Sequence, residues 1–315
     1  MNLERKVRSL ASVIVTYNAD PNTLQTLLDR LAPQVNRIFV VDNGSSNAQL
    51  INQTAELFSH VRVILCPTNL GLGHAHNLGI QACRDAGMTM VLLLDQDSLP
   101  RNNMVEKLIT AFDQLSQTSG KVAAVGPHYK GSRTGHRSFF VQFNRFRFRK
   151  CFCNRGEDGQ TILADMLISS GCLIPLSAID TIGGMDEELF IDHVDTDWFL
   201  RAKSLGWRSY GVCDALMEHT LGEQTIRVWW GRWRYLPLHQ PFRYYYIYRN
   251  SLLLYRRKYP DRFWKQADIL RLIMMFVIFS FFGNQKLGNM RMTLLGIKDG
   301  ISGKSGQLET NQGVR

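Results

Sequence analysis

The sharpest chemical signal in the chain is Leu92-Leu93-Leu94-Asp95-Gln96-Asp97-Ser98. Two carboxylates one residue apart, where an apolar strand opens into solvent, can hold Mg2+ or Mn2+ and leave coordination positions for diphosphate oxygens. A capped turn would use the same residues, so this motif alone carries both readings. Asp42 stands in an equivalent place, after Ile38-Phe39-Val40-Val41 and before Asn43-Gly44-Ser45. Its carboxylate can accept the N3–H of uracil or thymine, or cap the next helix. Asn69-Leu70-Gly71-Leu72-Gly73 with Asn77-Leu78-Gly79 brings glycines, which allow close backbone approach, to a helix N-terminus, which favours anions. The dinucleotide fingerprint is absent, because the third glycine is missing at the required spacing and the first strand runs into Thr16-Tyr17-Asn18, which has no glycine.

A second acidic region follows, Gly183-Gly184-Met185-Asp186-Glu187-Glu188-Leu189-Phe190 and then Ile191-Asp192-His193-Val194-Asp195-Thr196-Asp197-Trp198. It opens a helix expected to run through Leu205, and the macrodipole stabilises negative charge there. Capping accounts for Asp195 or Asp197 but not for so many carboxylates in one segment. A carboxylate held near a sugar hydroxyl can serve as general base. His219 can offer a neutral imidazole to the same metal, or be an ordinary hydrogen-bonded histidine.

Such residues need a scaffold that brings them together. Residues 11–15, 37–41, 61–65 and 90–94 read as strands, short and rich in Val, Ile and Leu. Residues 21–31, 48–58 and 73–86 read as helices, the first with Asp20 as N-cap and Pro21 at the first helical position. The alternation predicts an α/β fold with a mostly parallel, Rossmann-like sheet flanked by helices. Ligands bind beyond the carboxyl ends of such strands, so Thr16-Tyr17-Asn18, Asp42-Asn43 and Asp95-Gln96-Asp97 are expected on one rim. Residues 100–118 predict another helix and 122–126 another strand. Residues 129–159, basic and aromatic, predict a long irregular or hairpin segment, and 164–174 returns to core-like composition.

With 315 residues, 45% hydrophobic and 20% charged, the chain has the balance of a globular protein and not of a disordered one. The formal net charge of +10 favours polyanions, whether nucleic acids, nucleotide diphosphates or anionic lipid headgroups. The first residues lack the apolar core and cleavage site of a secretory signal, which gives the expectation of a cytoplasmic protein. Cys66, Cys83, Cys151, Cys153, Cys172 and Cys213 show no zinc-ribbon spacing and are expected to be free thiols, with Cys151-x-Cys153 incidental.

In order and approximate spacing, these motifs resemble the family 2 glycosyltransferases of GT-A fold, most closely the bacterial L-rhamnosyltransferases of O-antigen assembly. The resemblance covers about residues 10–222 and rests on six motifs in order: Thr16-Tyr17-Asn18, Asp42-Asn43-Gly44-Ser45, Asn69-Leu70-Gly71 with Asn77-Leu78-Gly79, Asp95-Gln96-Asp97, Gly183-Gly184-Met185-Asp186, and Asp195-Thr196-Asp197. It implies an inverting transferase that moves L-rhamnose from dTDP-L-rhamnose to a lipid-linked saccharide, with Mg2+ or Mn2+ as cofactor. Thr16, Tyr17, Asn18, Asp42, Asn43, Gly71, Asn77, Asp95, Gln96 and Asp97 would then bind the nucleotide sugar. Asp95, Asp97 and His219 would hold the metal, and Asp195 would be the catalytic base. Asp192 and Trp198 would lie on the acceptor side. Where the family usually has Glu-Asp, this chain has Val194-Asp195.

Residues 1–222 are thus read as the catalytic domain and 223–315 as a helical, basic and aromatic membrane-associating region. Trp229-Trp230-Gly231-Arg232-Trp233 and Arg243-Tyr244-Tyr245-Tyr246-Ile247-Tyr248-Arg249 suit a bilayer headgroup layer, or pack against the acceptor side of the domain. The uncharged run 272–283 is too short to span a bilayer and predicts an interfacial helix. The expected setting is peripheral, on the inner face of the cytoplasmic membrane, without nucleic acid as a partner. A sugar-nucleotide nucleotidyltransferase also needs acidic metal ligands on a parallel sheet, but it would carry a glycine-rich basic signature after the first strand. The remaining alternatives are a transferase of another nucleotide sugar and a membrane-attached scaffold of the same fold without turnover.

Overall fold

The computed structural model describes residues 9–131, 139–154, 157–219, 225–229, 233–281 and 285–309. The chain begins β1 (Leu10–Thr16), α1 (Pro21–Leu31), β2 (Arg37–Asp42), α2 (Ala48–Glu56), β3 (Val61–Leu65), α3 (Leu72–Asp85) and β4 (Met90–Asp95), as the periodicity predicts. Asp20 caps α1 by accepting from the Thr23 N–H at 2.9 Å, with Pro21 opening the helix. These four strands pair in parallel in the order β3-β2-β1-β4.

The next elements are β5 (Ser98–Pro100), α4 (Met104–Thr118), β6 (Val122–Gly131), the hairpin of β7 (Phe140–Asn144) with β8 (Arg147–Cys151), β9 (Thr161–Ala164), β10 (Leu173–Pro175), α5 (Leu176–Ile182), α6 (Val194–Ser204) and β11 (Arg208–His219). Here the expectation of a mostly parallel sheet is corrected. β10 runs antiparallel between β4 and β6, and β11 is parallel to β6 but antiparallel to β5 and β9. A loop, not a helical crossover, leads into β10, so nothing turns the chain back into the parallel direction. The result is a mixed nine-stranded sheet among the described residues.

Both faces of this sheet are covered, which explains the continuous apolar runs. Leu10 and Ile14 of β1 with Leu92 and Leu94 of β4 pack against Leu24, Leu28 of α1 and Leu108, Phe112 of α4. Ala11, Val13, Val91 and Leu93 face the other layer, with Ala75 and Ile80 of α3, Ile179 of α5 and Trp198 of α6.

The chain continues through the ribbon β12 (Thr225–Trp229) and β13 (Trp233–Pro237) to α7 (Pro241–Arg256), α8 (Arg262–Phe281) and α9 (Lys286–Ser302). α9 approaches α7 closely at Gly296, where an added Cβ would sit 2.4 Å from the Tyr245 carbonyl oxygen. The boundary expected at residue 222, and the side chains of the Trp-rich segment 228–235, lie outside the described residues. The tyrosine cluster does not face a bilayer: Tyr244, Tyr245, Tyr246 and Tyr248 are all buried, because α7 is packed between its neighbours. The free-thiol expectation is also corrected. Cys153 and Cys213 form a disulfide with Cα atoms 5.6 Å apart, while Cys66, Cys83, Cys151 and Cys172 are free. A pairing across 60 residues leaves no trace in local spacing.

His76, in the middle of α3, is fully buried, and neither ring nitrogen has a hydrogen-bond partner among the described residues. Burial lowers its pKa from 6.5 to about 4. The unfolded chain therefore binds a proton that the folded chain refuses, and the stability present above pH 6.5 is lost as pH falls towards 4. In urea titrations, His76→Leu should lose less stability than the parent between pH 7 and pH 4.5, by on the order of 2–3 kcal/mol.

Candidate active site

The register of the parallel strands sets the first distances. Thr16 pairs with Asp42 and Val15 with Asp95, so the ends of β2, β1 and β4 lie abreast. With neighbouring strands about 4.8 Å apart, the Asp42 and Asp95 backbones are separated by about 10 Å. Asp42 itself is buried. Its Oδ1 accepts from Thr16 Oγ1 at 3.1 Å and from Ser45 Oγ at 2.5 Å, and its Oδ2 accepts from the Ser45 N–H at 2.9 Å. Three of about four acceptor sites are thereby used, leaving one on Oδ2. Beside it, Asn18 takes a left-handed backbone with φ 48° and its Oδ1 accepts from the Ser46 N–H at 2.9 Å. Tyr17 is half exposed, and its N–H donates to Gln96 Oε1 at 2.8 Å.

That last bond carries the rim from β1 to the Asp95-Gln96-Asp97 turn. Asp95 and Asp97 are both partly exposed. The Asp95 N–H donates to Ser170 Oγ at 3.0 Å, and Ser98 Oγ and Ser170 Oγ lie 2.6 Å apart. The neighbouring Ser169 backbone hydrogen-bonds the Asp195 carboxylate. Cys172, also buried, has its thiol pushed well up by burial and then by the charges of Asp195 and Asp95, so both carboxylates act electrostatically on the same group.

A second route joins the same ends. Asn43 is buried; its Oδ1 accepts from the Leu70 N–H at 2.9 Å and its Nδ2 donates to the Gly71 carbonyl at 3.2 Å. Gly71 has φ +92°, and a Cβ there would stand 2.7 Å from the Phe190 carbonyl oxygen, so only glycine fits. The Leu72 N–H donates to that same carbonyl at 2.6 Å. Asp42 and Asp195 are thus joined twice, through Gln96 and Ser170 on one side and through Asn43, Gly71 and Phe190 on the other.

Asp195 sits in the first turn of α6 and accepts from the Thr196 N–H at 2.7 Å. Burial raises its pKa and the nearby Asp192 charge adds to this, while the bonds from Thr196 and Ser169 oppose it. Ahead of it, Phe190, Asp192 and His193 have φ of 63°, 60° and 62°, a sequence of left-handed residues that needs outside support. α7 supplies it. The Asn250 amide donates to the carbonyls of Leu189, Ile191 and Asp192 at 2.8–2.9 Å, and Arg243 holds the Asp192 carboxylate at 2.6 Å.

Of the expected site residues, Thr16, Tyr17, Asn18, Asp42, Asn43, Gly71, Asp95, Gln96, Asp97 and Asp195 lie on this double path. Asn77 is turned elsewhere: its amide is taken up by Met185 N–H and carbonyl and by Glu187, pinning that segment to α3. Asp192 is paired with Arg243. Trp198, expected on the acceptor side, is corrected to a core residue. Its indole is fully buried and spends its N–H on the Gly183 carbonyl at 2.9 Å. Asp197 is likewise buried between Arg201 and Arg257. A cavity of about 270 Å3 lined by Lys107, Thr110 and Asp214 contains none of the motif residues. Sequence reading missed Ser169, Ser170 and the α7 supports Arg243 and Asn250. Ser169-Ser170-Gly171 was visible as a turn signal, whereas nothing local marks Asn250.

For a metal, among the described residues no cluster of three or more His, Cys, Asp or Glu can hold an ion. The His219 backbone pairs with Ser98, one residue from Asp97, and its side chain is outside the described set. Asp97, beside this register position, and Asp95, two residues before Asp97, fit a hard divalent cation whose remaining ligands are water and phosphate oxygens.

This geometry accords with known proteins. The chain belongs to glycosyl transferase family 2, whose model matches residues 12–181, and it is therefore a glycosyltransferase. Over 299 residues, 95% of this chain and 97% of its relative, it is 29% identical to the dTDP-rhamnosyl transferase RfbF of Shigella flexneri. It is also 31% identical over 109 residues to an N-acetylglucosaminyltransferase of Bradyrhizobium elkanii, covering 32% of this chain and 58% of that one. Among solved structures, GalNAc-T7 with UDP, GalNAc and Mn2+ aligns at TM-score 0.56 and 14% identity over 69% of this chain and 44% of that one. S. aureus TarS 1-349 aligns at TM-score 0.55 and 15% identity over 93% and 81%. Both establish the fold, an α/β arrangement of GT-A type.

Asn250→Leu should take the amide donor from the Ile191 and Asp192 carbonyls, while Leu189 keeps its bonds from Arg249 and the Ile191 N–H, and destabilise the protein by about 2–4 kcal/mol. Amide exchange should accelerate first in residues 189–196; uniform acceleration over the whole chain would deny the local role.

Proposed function

We propose that this glycosyltransferase transfers L-rhamnose from dTDP-L-rhamnose to a lipid-linked saccharide in O-antigen or other cell-surface polysaccharide synthesis. The similarity to a dTDP-rhamnosyl transferase over nearly the whole of both chains supports the donor. What supports the reading is the pair of hydrogen-bonded routes that link the segments bearing Asp42, Asp95 and Asp195, with Asp97 in the same turn as Asp95. Residues 1–222 form the catalytic domain and 223–315 the membrane-associating region in this reading.

The bond made is from an acceptor hydroxyl oxygen to the anomeric carbon, and the bond broken joins that carbon to the diphosphate oxygen, with inversion. Asp195 takes the hydroxyl proton. Its raised pKa makes it a stronger base than an ordinary carboxylate. Asp42, through the free position on Oδ2, receives the base N–H, while Thr16, Asn18 and Asn43 keep that loop in place. Asp95, Asp97 and His219 would hold a divalent cation, which when bound offsets charge on the leaving diphosphate. Asp192 steadies the acceptor side through Arg243.

Asp195→Asn should lower transfer by a factor of about 10^2–10^4 while dTDP-rhamnose still binds. The same assay in EDTA should lose turnover. Full transfer by the variant removes Asp195 from the role, and full transfer in EDTA removes the metal. With the parent enzyme, kcat should fall on the acid side at a pH above the ordinary Asp range, since Asp195 must be ionised to act.

The setting we propose is the inner face of the cytoplasmic membrane, a reducing compartment in which the Cys153–Cys213 bond would not persist. Closure of its loop is worth on the order of 4 kcal/mol. Protein treated with dithiothreitol should therefore melt at a lower temperature yet retain transfer; loss of transfer on reduction would argue for an oxidising compartment.

A further inference from the structure

α8 reverses the arrangement of an ordinary surface helix. The charges at its middle point inward: Asp268 is buried, Arg271 pairs with it at 2.6 Å, and Tyr255 donates to it at 2.7 Å. Its outer side is apolar, with Ile269, Leu270, Ile273, Met274 and Val277 each 40–57% exposed. Ile269, Ile273 and Val277 follow one another at four-residue spacing, so they line a single stripe. Arg262 is exposed at the N-terminal end of that stripe, and Lys286, Arg291 and Lys298 are exposed on α9, which packs beside α8.

Charge identifies what covers the stripe. Residues 223–315 hold 16 Lys and Arg against 5 Asp and Glu, whereas residues 1–222 hold 21 against 22. The whole positive excess therefore lies in the part of the chain that bears this face. A second copy would bring the same positive charge against itself. An anionic lipid surface offers the opposite sign together with an apolar layer. No helix among the described residues is long and apolar enough to cross a membrane, which leaves α8 lying along the surface.

The inner side of the same helix reaches the candidate active site. Arg271 lies 3.2 Å from His193 Nε2, and Ser251 Oγ of α7 is 3.0 Å from the same nitrogen. His193 stands two residues before Asp195 in the left-handed segment. We propose that the outer face of α8 is the seat of this protein on an anionic lipid surface, and that seating orders the segment before Asp195 through Arg271 and His193. The proposal deepens the membrane-surface part of the function above. It takes the contact away from the buried tyrosines of α7 and centres it on the aliphatic stripe of α8, which overlaps the run 272–283 expected to be interfacial.

The test uses the full chain with phosphatidylcholine vesicles containing about a third phosphatidylglycerol, and with phosphatidylcholine vesicles alone. The parent should float with the anionic vesicles and lose most binding on neutral ones. The double variant Ile273→Ser, Val277→Ser should bind at least about tenfold less tightly with an unchanged melting temperature, since both side chains are exposed. Amide exchange over residues 190–196 should slow when the parent binds vesicles and return to the lipid-free rate in the double variant. If parent and variant float equally, the stripe is not the seat, although the membrane reading stands. If the parent does not float, or sediments as a dimer that the variant breaks, both fail. Vesicle binding with unchanged exchange at 190–196 overturns the ordering of the segment.

Discussion

One hydroxyl group ties the two halves of the sheet together at the site. Ser170 Oγ accepts from the backbone N–H of Asp95, where the parallel strands end, and lies 2.6 Å from Ser98 Oγ, where the antiparallel edge begins. Both serines are buried, so each bond replaces water that cannot reach them. The loop bearing Ser170 also brings the Ser169 backbone to Asp195. Without this cross-connection, the β4 turn and α6 would be linked only by the longer route through Asn43, Gly71 and Phe190. Gly171 makes the approach possible: its φ is +85°, and a Cβ there would stand 2.4 Å from Pro127 Cγ.

The segment before Asp195 shows how such a site is kept rigid at a cost. Left-handed backbone at Phe190, Asp192 and His193 costs of order 1–3 kcal/mol per residue. The offset comes from buried side chains of α7. Asn250 satisfies three carbonyls, Arg249 reaches the Leu189 carbonyl at 3.0 Å, and Tyr246 stacks on Phe190 with ring centroids 5.2 Å apart. A residue such as Asn250, fully buried in a helix of tyrosines, would be a liability if its amide were not spent in this way. α7 is therefore a support for the segment before Asp195, and its aromatic side chains are the packing that holds the support in place.

This explains what could be read from the chain and what could not. β1 to β4 and α1 to α3 follow from short-range periodicity, since each strand is buried on both faces and each helix carries one apolar stripe. The carboxylates after β2 and β4 were legible for the same reason: their place at a strand end is a local property. β10, the Cys153–Cys213 bond and the Asn250 contacts depend on residues 58 or more positions away, or on a loop where a crossover helix was expected. Trp198 misled because its neighbours are acidic, while its ring points into the core beneath them. The tyrosines of α7 misled in the same way, since aromatic and basic composition describes a membrane face and a buried polar helix equally well.

The same burial that conceals these contacts sorts the carboxylates by task. Asp197 and Asp268 are enclosed by arginines and serve as anchors for α7 and α8. Asp42 is enclosed by hydroxyl and amide donors and keeps a single acceptor position open. Asp95 and Asp97 remain partly exposed, where a hydrated cation can reach them. Asp195 combines burial with the nearby Asp192 charge, so its pKa goes up where an ion pair would have brought it down. Burial acts on Asp268 as well, but there the Arg271 guanidinium outweighs it and the carboxyl goes down.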